Sequence, residues 1–371
     1  MIIGVPKEIK NHEYRVAIVP PGVEALVENG HRVIIQESAG EGSGISDGEF
    51  IAAGAKIRLT AAEIFQDAEM IIKVKEPQPE EYPLLREGQL LFAYLHLAPA
   101  PALTRRLLER KVVGIAYETV QLDNGSLPLL TPSSEIAGKL SVQIGAHYLE
   151  KENGGNGVLL GGAAGVKPGK VTILGGGTVG TNAAKVALGL GADATILDIN
   201  PDRLRYLSDV FGSGFTLLVS NSENIETSVT EADLVIGSIL IPGGRAKKLV
   251  TRQMIAKMRK GSVMVDVAID QGGCFETSVP TTFDNPVFLV EGVIQYCVAN
   301  LPACVPRTSS LALTNSTLPY VLKLANMGVI KALDQDTALR RGLNVFKGRL
   351  THNAIAGATG IEYKPYEKVV G

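Results

Sequence analysis

Four polar residues stand where apolar runs give way to loops, and their types together suit one kind of chemistry. Arg15 closes the polar stretch Lys10-Asn11-His12-Glu13-Tyr14 that follows the first apolar run, and Lys75 ends the run over 70–74 just before Glu76-Pro77. His96 follows the apolar run over 90–95, and Asp270 opens a Gly-rich turn within Val265-Asp266-Val267-Ala268-Ile269-Asp270-Gln271-Gly272-Gly273. Each has an ordinary reading alone: a solvated arginine, an exposed lysine, a satisfied buried histidine, a turn aspartate. Taken together they supply two cations for a carboxylate, an imidazole that titrates near neutrality for proton transfer, and a carboxylate for a developing positive charge. Hydride transfer from an α-amino acid needs that set.

A second constellation lies further along. The apolar run Val171-Thr172-Ile173-Leu174 leads directly into Gly175-Gly176-Gly177-Thr178-Val179-Gly180 and then into a helical segment. In that setting Gly175 allows the tight turn, Gly177 lets a pyrophosphate approach the backbone, and Gly180 lets helix and strand pack closely. The helix N-terminus, around Thr178 and Val179, offers unpaired N–H groups to the anion. The glycine pattern alone fits a structural turn equally well, and the decisive addition is Asp198. It ends the next apolar run, about twenty residues on, where a ribose-binding acid belongs. A carboxylate there favours NAD over NADP, while Arg203 and Arg205 just downstream leave a 2′-phosphate open. Ser220 and the pair Ile239 and Leu240 follow later strands of the same series, at the edge where such sheets bind ligands.

The elements that must position these residues form two series. Short apolar runs at 2–5, 32–36, 70–74, 90–95 and 112–117 predict buried parallel strands, alternating with helices at 20–30, 61–68 and 102–110. A second series has strands at 171–174, 194–197, 216–219, 234–237, 263–266 and 287–290, with helices such as 179–190 and 203–211. A helix over 133–150, capped by Ser133 or Ser134, leads into this series, and the Gly-rich stretch 154–165 reads as a loop. After about residue 305 the strands stop and helices at 318–327 and 334–345 are expected. The fold class is therefore α/β: two doubly wound Rossmann-like domains with a cleft between them, the first discontinuous. The boundaries are 1–130 plus 306–371 for a substrate and catalytic domain, and 131–305 for the dinucleotide domain.

Bulk composition narrows the classes. A chain of 371 residues suits two domains, and 45% hydrophobic with 20% charged residues is globular. A net charge of −2 with no basic stripe argues against a nucleic-acid partner. No apolar stretch is long enough to predict a membrane span, the N-terminus lacks the features of a secretory signal, and three cysteines without CxxC spacing fit reduced thiols in a cytoplasm.

Several segments, in order, resemble the family of alanine dehydrogenase and the transhydrogenase alpha-subunit. They are Met1-Ile2-Ile3-Gly4-Val5-Pro6-Lys7-Glu8, Asn11-His12-Glu13-Tyr14-Arg15-Val16-Ala17, Lys73-Val74-Lys75-Glu76-Pro77, Leu95-His96-Leu97-Ala98, and Ala116-Tyr117-Glu118-Thr119-Val120. Residues 266–274, 298–302 and 305–309 extend the likeness, which runs from residue 1 to about 360.

The resemblance implies that Arg15 and Lys75 hold the substrate carboxylate and carbonyl, and that His96 and Asp270 are the catalytic acid/base pair. It implies NAD contacts from Ser134, Thr178, Asp198, Arg203, Ser220, Ile239, Leu240, Val267, Ala268, Ile269, Asp270, Val298, Ala299, Asn300 and Leu301. The implied reaction is NAD-dependent oxidation of L-alanine to pyruvate and ammonia, and its reverse, by a homohexamer. Some family members carry an acid and a histidine suited to a metal in the helix that here holds Lys323 and Met327, so no metal site is expected. Gln295 and Phe283 fall where some members place His. The rival readings are a dehydrogenase for another small amino acid, a hydride-transferring transhydrogenase component, and a non-catalytic NAD sensor.

Overall fold

The computed structural model describes residues 1–239 and 246–370. The chain divides into two compact units, Met1–Ser133 with Ala303–Gly371, and Ser134–Pro302. In chain order the strands are β1 (Ile2–Val5), β2 (Arg32–Gln36), β3 (Lys56–Arg58), β4 (Met70–Ile72), β5 (Leu90–Ala93), β6 (Val113–Ala116), β7 (Lys170–Leu174) and β8 (Asp193–Asp198). They continue with β9 (Thr216–Val219), β10 (Leu234–Gly237), β11 (Val263–Asp266), β12 (Val287–Val290), β13 (Val293–Tyr296), β14 (Leu343–Phe346) and β15 (Arg349–Leu350).

The first unit holds an eight-stranded sheet of order β15-β14-β6-β5-β4-β1-β2-β3, and the second a seven-stranded sheet of order β12-β13-β11-β10-β7-β8-β9. Strands β1 to β6 pair in parallel, as do β7 to β11 with β13, while β12, β14 and β15 are antiparallel additions at the edges. Strand order reverses at β1/β4 in one sheet and at β7/β10 in the other, the position at which doubly wound sheets bind ligands.

Both sheets are covered on both faces, which explains the near-continuous apolar runs. In the first unit Ile3, Ile35, Ile72 and Phe92 join the core under helices Pro20–Glu28 and Pro306–Met327. Their neighbours Ile34, Ile71 and Leu91 face the opposite way, toward helices Ala61–Asp67 and Pro101–Glu109. In the second unit Val171, Ile173, Ile196 and Ile236 line one core, and Leu174, Leu197 and Val235 the other.

Three expectations need correction. The helix leading into the dinucleotide series runs Thr131–Leu149, so Ser133 and Ser134 lie inside its first turn instead of capping it. The segment expected as a helix over 334–345 breaks at Asp336 and again at Gly342, and Leu343–Phe346 is a fully buried strand that pairs antiparallel with β6. Gly342 is the residue that should have signalled the stop: a Cβ there would meet Val120 Cγ2 at 2.6 Å. The strand series therefore does not end at 305. Three further strands escaped the sequence pattern: β3, three residues long at the sheet edge, the two-residue β15 at the opposite edge, and β13, joined to β12 by a tight turn with Glu291 and Gly292 both at positive φ (53° and 81°).

Candidate active site

Arg15, Lys75 and His96 follow β1, β4 and β5, three strands that are adjacent in the sheet, so parallel pairing brings their loops to one carboxyl edge. The loop after β1 is fixed by hydroxyls: Val16 N–H donates to Ser310 Oγ at 3.0 Å, and Ser43 Oγ lies 2.8 Å from the same atom. Arg15 is not a surface residue, with only 2% of its area exposed. Its Nε and Nη2 donate to the two Glu13 oxygens at 2.7 and 2.6 Å. Burial alone would lower the guanidinium pKa, but the Glu13 hydrogen bond and charge outweigh it and raise it, so Arg15 stays cationic.

Behind this edge, Lys73 is wholly buried between Glu8 at 3.1 Å and Glu81 at 2.9 Å. Glu8 Oε1 also accepts the N–H of Val74 at 2.6 Å, tying the loop after β1 to the loop after β4. Removing one member of such a network strands a buried charge, so these residues fix the backbone that carries Lys75.

Lys75 Nζ lies 3.5 Å from His96 Nε2 and 5.6 Å from the centre of the Tyr94 ring. The Tyr94 ring stacks along the imidazole at 6.0 Å with an interplanar angle of 18°. The Tyr94 hydroxyl donates to Leu129 O at 2.6 Å, and burial pushes its pKa up to about 12, so it remains a neutral phenol. Burial first, then the positive charges of Lys75, Lys10 and Arg15, hold the His96 pKa well below its ordinary 6.5. The sequence-based expectation of a near-neutral group is thus corrected: the imidazole is neutral at physiological pH, a proton acceptor and not a standing cation.

In the second unit the loop after β7 has the geometry of a pyrophosphate cradle. Gly175 sits at φ +100°, where a side chain is strained, and a Cβ on Gly180 would stand 1.8 Å from Gly175 O. At Gly177, by contrast, a Cβ would meet nothing within 4 Å, because that position faces open space at the start of helix Thr178–Gly189. Asp198 closes β8 with Oδ2 accepting Gly176 N–H at 2.7 Å and Oδ1 accepting Asn200 N–H at 2.8 Å, which leaves each oxygen further acceptor capacity. Arg203 turns inward, to Gly176 O at 2.5 Å and Thr181 Oγ1 at 2.7 Å, and Arg205 pairs with Asp202. These residues fit the adenosine and pyrophosphate of a dinucleotide.

The remaining expected residues are distributed around the same unit. Ser220 N–H donates to Asp198 O at 3.0 Å, and Ile239 packs beside Gly175. Leu240 lies outside the described residues. Val267, Ala268, Ile269 and Asp270 form the short turn Val267–Gln271 after β11, with Asp270 exposed and Asp266 buried as the turn's cap. Val298 and Leu301 are buried, with Ala299 and the left-handed Asn300 (φ 61°) between them. Ser134 and Thr178 lie at helix starts, and Val179 O comes within 2.2 Å of where a Cβ on Gly138 would stand. The long helix thus packs directly on the helix that opens the cradle. Sequence reasoning assigned no role to Glu8, Glu13, Lys73, Tyr94 or Glu118. Most of them fall in the segments that carried the resemblance, but a carboxylate aimed at backbone N–H groups leaves no spacing pattern to find.

Among the described residues no helix is long and apolar enough to cross a membrane. Two family models match the chain: the alanine dehydrogenase/PNT N-terminal domain over residues 4–137 and the C-terminal domain over 141–353. A curated alanine dehydrogenase of Methanococcus maripaludis is 59% identical over 371 residues, covering 100% of both chains. A solved L-alanine dehydrogenase superposes with a TM-score of 0.94 at 56% identity, over 97% of this chain and 99% of that one. A transhydrogenase structure from Sinorhizobium meliloti reaches 0.82 at 25% identity, over 95% and 100% of the two chains.

Proposed function

The chain belongs to the alanine dehydrogenase/PNT family, and from that premise we propose that it is an NAD-dependent dehydrogenase converting L-alanine to pyruvate and ammonia, and the reverse. The observation that carries the reading is the convergence of Arg15, Lys75 and His96 at one sheet edge, with the Lys75 ammonium 3.5 Å from the imidazole. A nicotinamide cofactor, held by the 175–180 cradle and Asp198, supplies the hydride acceptor. NAD is favoured over NADP because Asp198 is an acid at the ribose position and Arg203 is turned inward onto Gly176 O and Thr181 Oγ1.

Arg15 and Lys75 orient the amino acid by its carboxylate so that the α-hydrogen leaves as hydride. Hydride loss from the neutral amine gives an iminium whose carbon is attacked by water; His96 Nε2 takes the proton that water releases, returns it to the nitrogen, and then takes the hydroxyl proton as the carbinolamine collapses. Asp270 stabilises the positive charge and orients the ammonia that departs when the carbinolamine collapses. Arg15 is suited to its task by its fixed charge, with Glu13 gripping one edge of the guanidinium.

The stronger likeness to alanine dehydrogenases, 59% against 25% for the transhydrogenase, favours the amino-acid reaction over hydride exchange between nucleotides. The same reading includes a homo-oligomer, hexameric by family resemblance, in the cytoplasm, where three cysteines without a disulfide among them fit a reducing environment. Rates of cofactor reduction with alanine, serine, glycine, 2-aminobutyrate and lysine, each with NAD and NADP, test it. Alanine with NAD should give the highest kcat/KM; a higher value for lysine, or for NADP, contradicts it.

A further inference from the structure

His96 holds a backbone conformation that L residues with a side chain rarely adopt, at φ +46°. Something must hold it there, and a buried carboxylate supplies the acceptor. Glu118 Oε1 takes the His96 N–H at 2.7 Å and the Leu95 N–H at 3.2 Å, and Oε2 lies 3.3 Å from the Leu95 nitrogen. One carboxylate therefore clamps two successive backbone donors where the chain leaves β5. Burial raises the Glu118 pKa, while these N–H groups and the Lys75 charge oppose that rise.

The clamp is itself anchored from elsewhere. Glu118 lies in the short turn Tyr117–Thr119 after β6, and Ala116 N–H donates to Gly342 O at 2.8 Å. Thr119 Oγ1 donates to Ala116 O at 3.2 Å and accepts the Asn344 side-chain amide at 2.9 Å. The late strand β14 thereby fixes the turn that carries the carboxylate, which gives the discontinuity of the unit a catalytic consequence.

We propose that Glu118 is a positioning residue for the reaction: its carboxylate holds the left-handed turn at His96 and so aims the imidazole beside Lys75. The inference rests on the reading of His96 as the proton carrier, and the experiment separates the two. Glu118→Leu removes both acceptors, Glu118→Gln keeps one carbonyl oxygen for the His96 N–H, and His96→Ala is the reference. Each full-length variant is measured for kcat and KM with alanine, for NADH binding, and for thermal midpoint.

In Glu118→Leu, kcat should fall on the order of a hundred-fold, the scale of a misplaced catalytic group, with KM and NADH binding within a few-fold. Glu118→Gln should recover to within about five-fold of the parent, since its amide oxygen still accepts the His96 N–H in place of the carboxylate oxygen. Adding Glu118→Leu to His96→Ala should then change kcat little, because the two act through one imidazole. Should Glu118→Leu lower only the thermal midpoint, or Glu118→Gln be as impaired as Glu118→Leu, the positioning role is overturned. An active His96→Ala overturns the reading of His96 itself, independently of Glu118.

Discussion

At the scale of single residues, what sets His96 apart is its electrostatic surroundings. An isolated imidazole titrates near 6.5, and here burial and then the charges of Lys75, Lys10 and Arg15 move it well below that value. The neutral form, the one the proposed mechanism uses as proton acceptor, therefore persists as pH falls through 6.5 and is lost only as pH passes through the depressed value. The free-enzyme limb assigned to His96 in kcat/KM should lie on the acid side of 6.5 and disappear in His96→Ala. That variant should bind NADH within a few-fold of the parent yet turn over roughly a hundred-fold more slowly. A stable variant that keeps its turnover would make His96 a packing residue. Lys75 and His96 were legible in the sequence because each follows an apolar run, whereas Arg15, in a polar loop ten residues after β1, drew its role from the family resemblance. The depressed pKa and the clamp by Glu118 were not legible, since both arise from groups on other strands that only the sheet order brings near.

At the scale of elements, the glycines of the cradle divide into two physical classes that the motif alone does not separate. A Cβ on Gly180 would overlap Gly175 O at 1.8 Å, whereas one on Gly177 meets no protein atom within 4 Å. Gly180→Ala should therefore cost folding stability, about 1–3 kcal/mol as for other overpacked sites. Gly177→Ala should leave the thermal midpoint nearly unchanged and weaken NADH binding by about ten-fold or more, ~1.4 kcal/mol, because its Cβ occupies the approach of the pyrophosphate. Thermal melts and NADH titrations of both variants check this, and equal destabilisation of the two would contradict it. The apolar runs that became β1, β2, β4 to β6, β7, β8, β10 and β11 were readable because strands covered on both faces carry no polar alternation, and the partly exposed edge strands β9 and β12 were readable from their apolar residues alone. Strand β14 was misread as helix because Leu343-Asn344-Val345-Phe346 is as apolar as the end of a buried helix. Its pairing partner, β6, lies more than two hundred residues earlier in the chain.

At the scale of the whole molecule, the two units share a plan of parallel strands reversing direction of growth at the first strand, and each carries different chemistry at its carboxyl edge. One offers fixed cations and a neutral imidazole, the other a glycine turn and, in Asp198, the acid we propose for the ribose. The discontinuity of the first unit, whose last two strands return after the second unit is complete, could be read from the sequence only as returning helices. The central claim is that the α-hydrogen of alanine passes directly to the nicotinamide ring. Incubating the protein with α-deuterated L-alanine and NAD, then isolating the reduced cofactor for mass spectrometry and NMR, measures that transfer. The account predicts one deuterium per molecule of NADH formed, on the nicotinamide ring, with pyruvate and ammonia released in equal amounts; deuterium recovered in water, or no reduced cofactor from alanine, would contradict it.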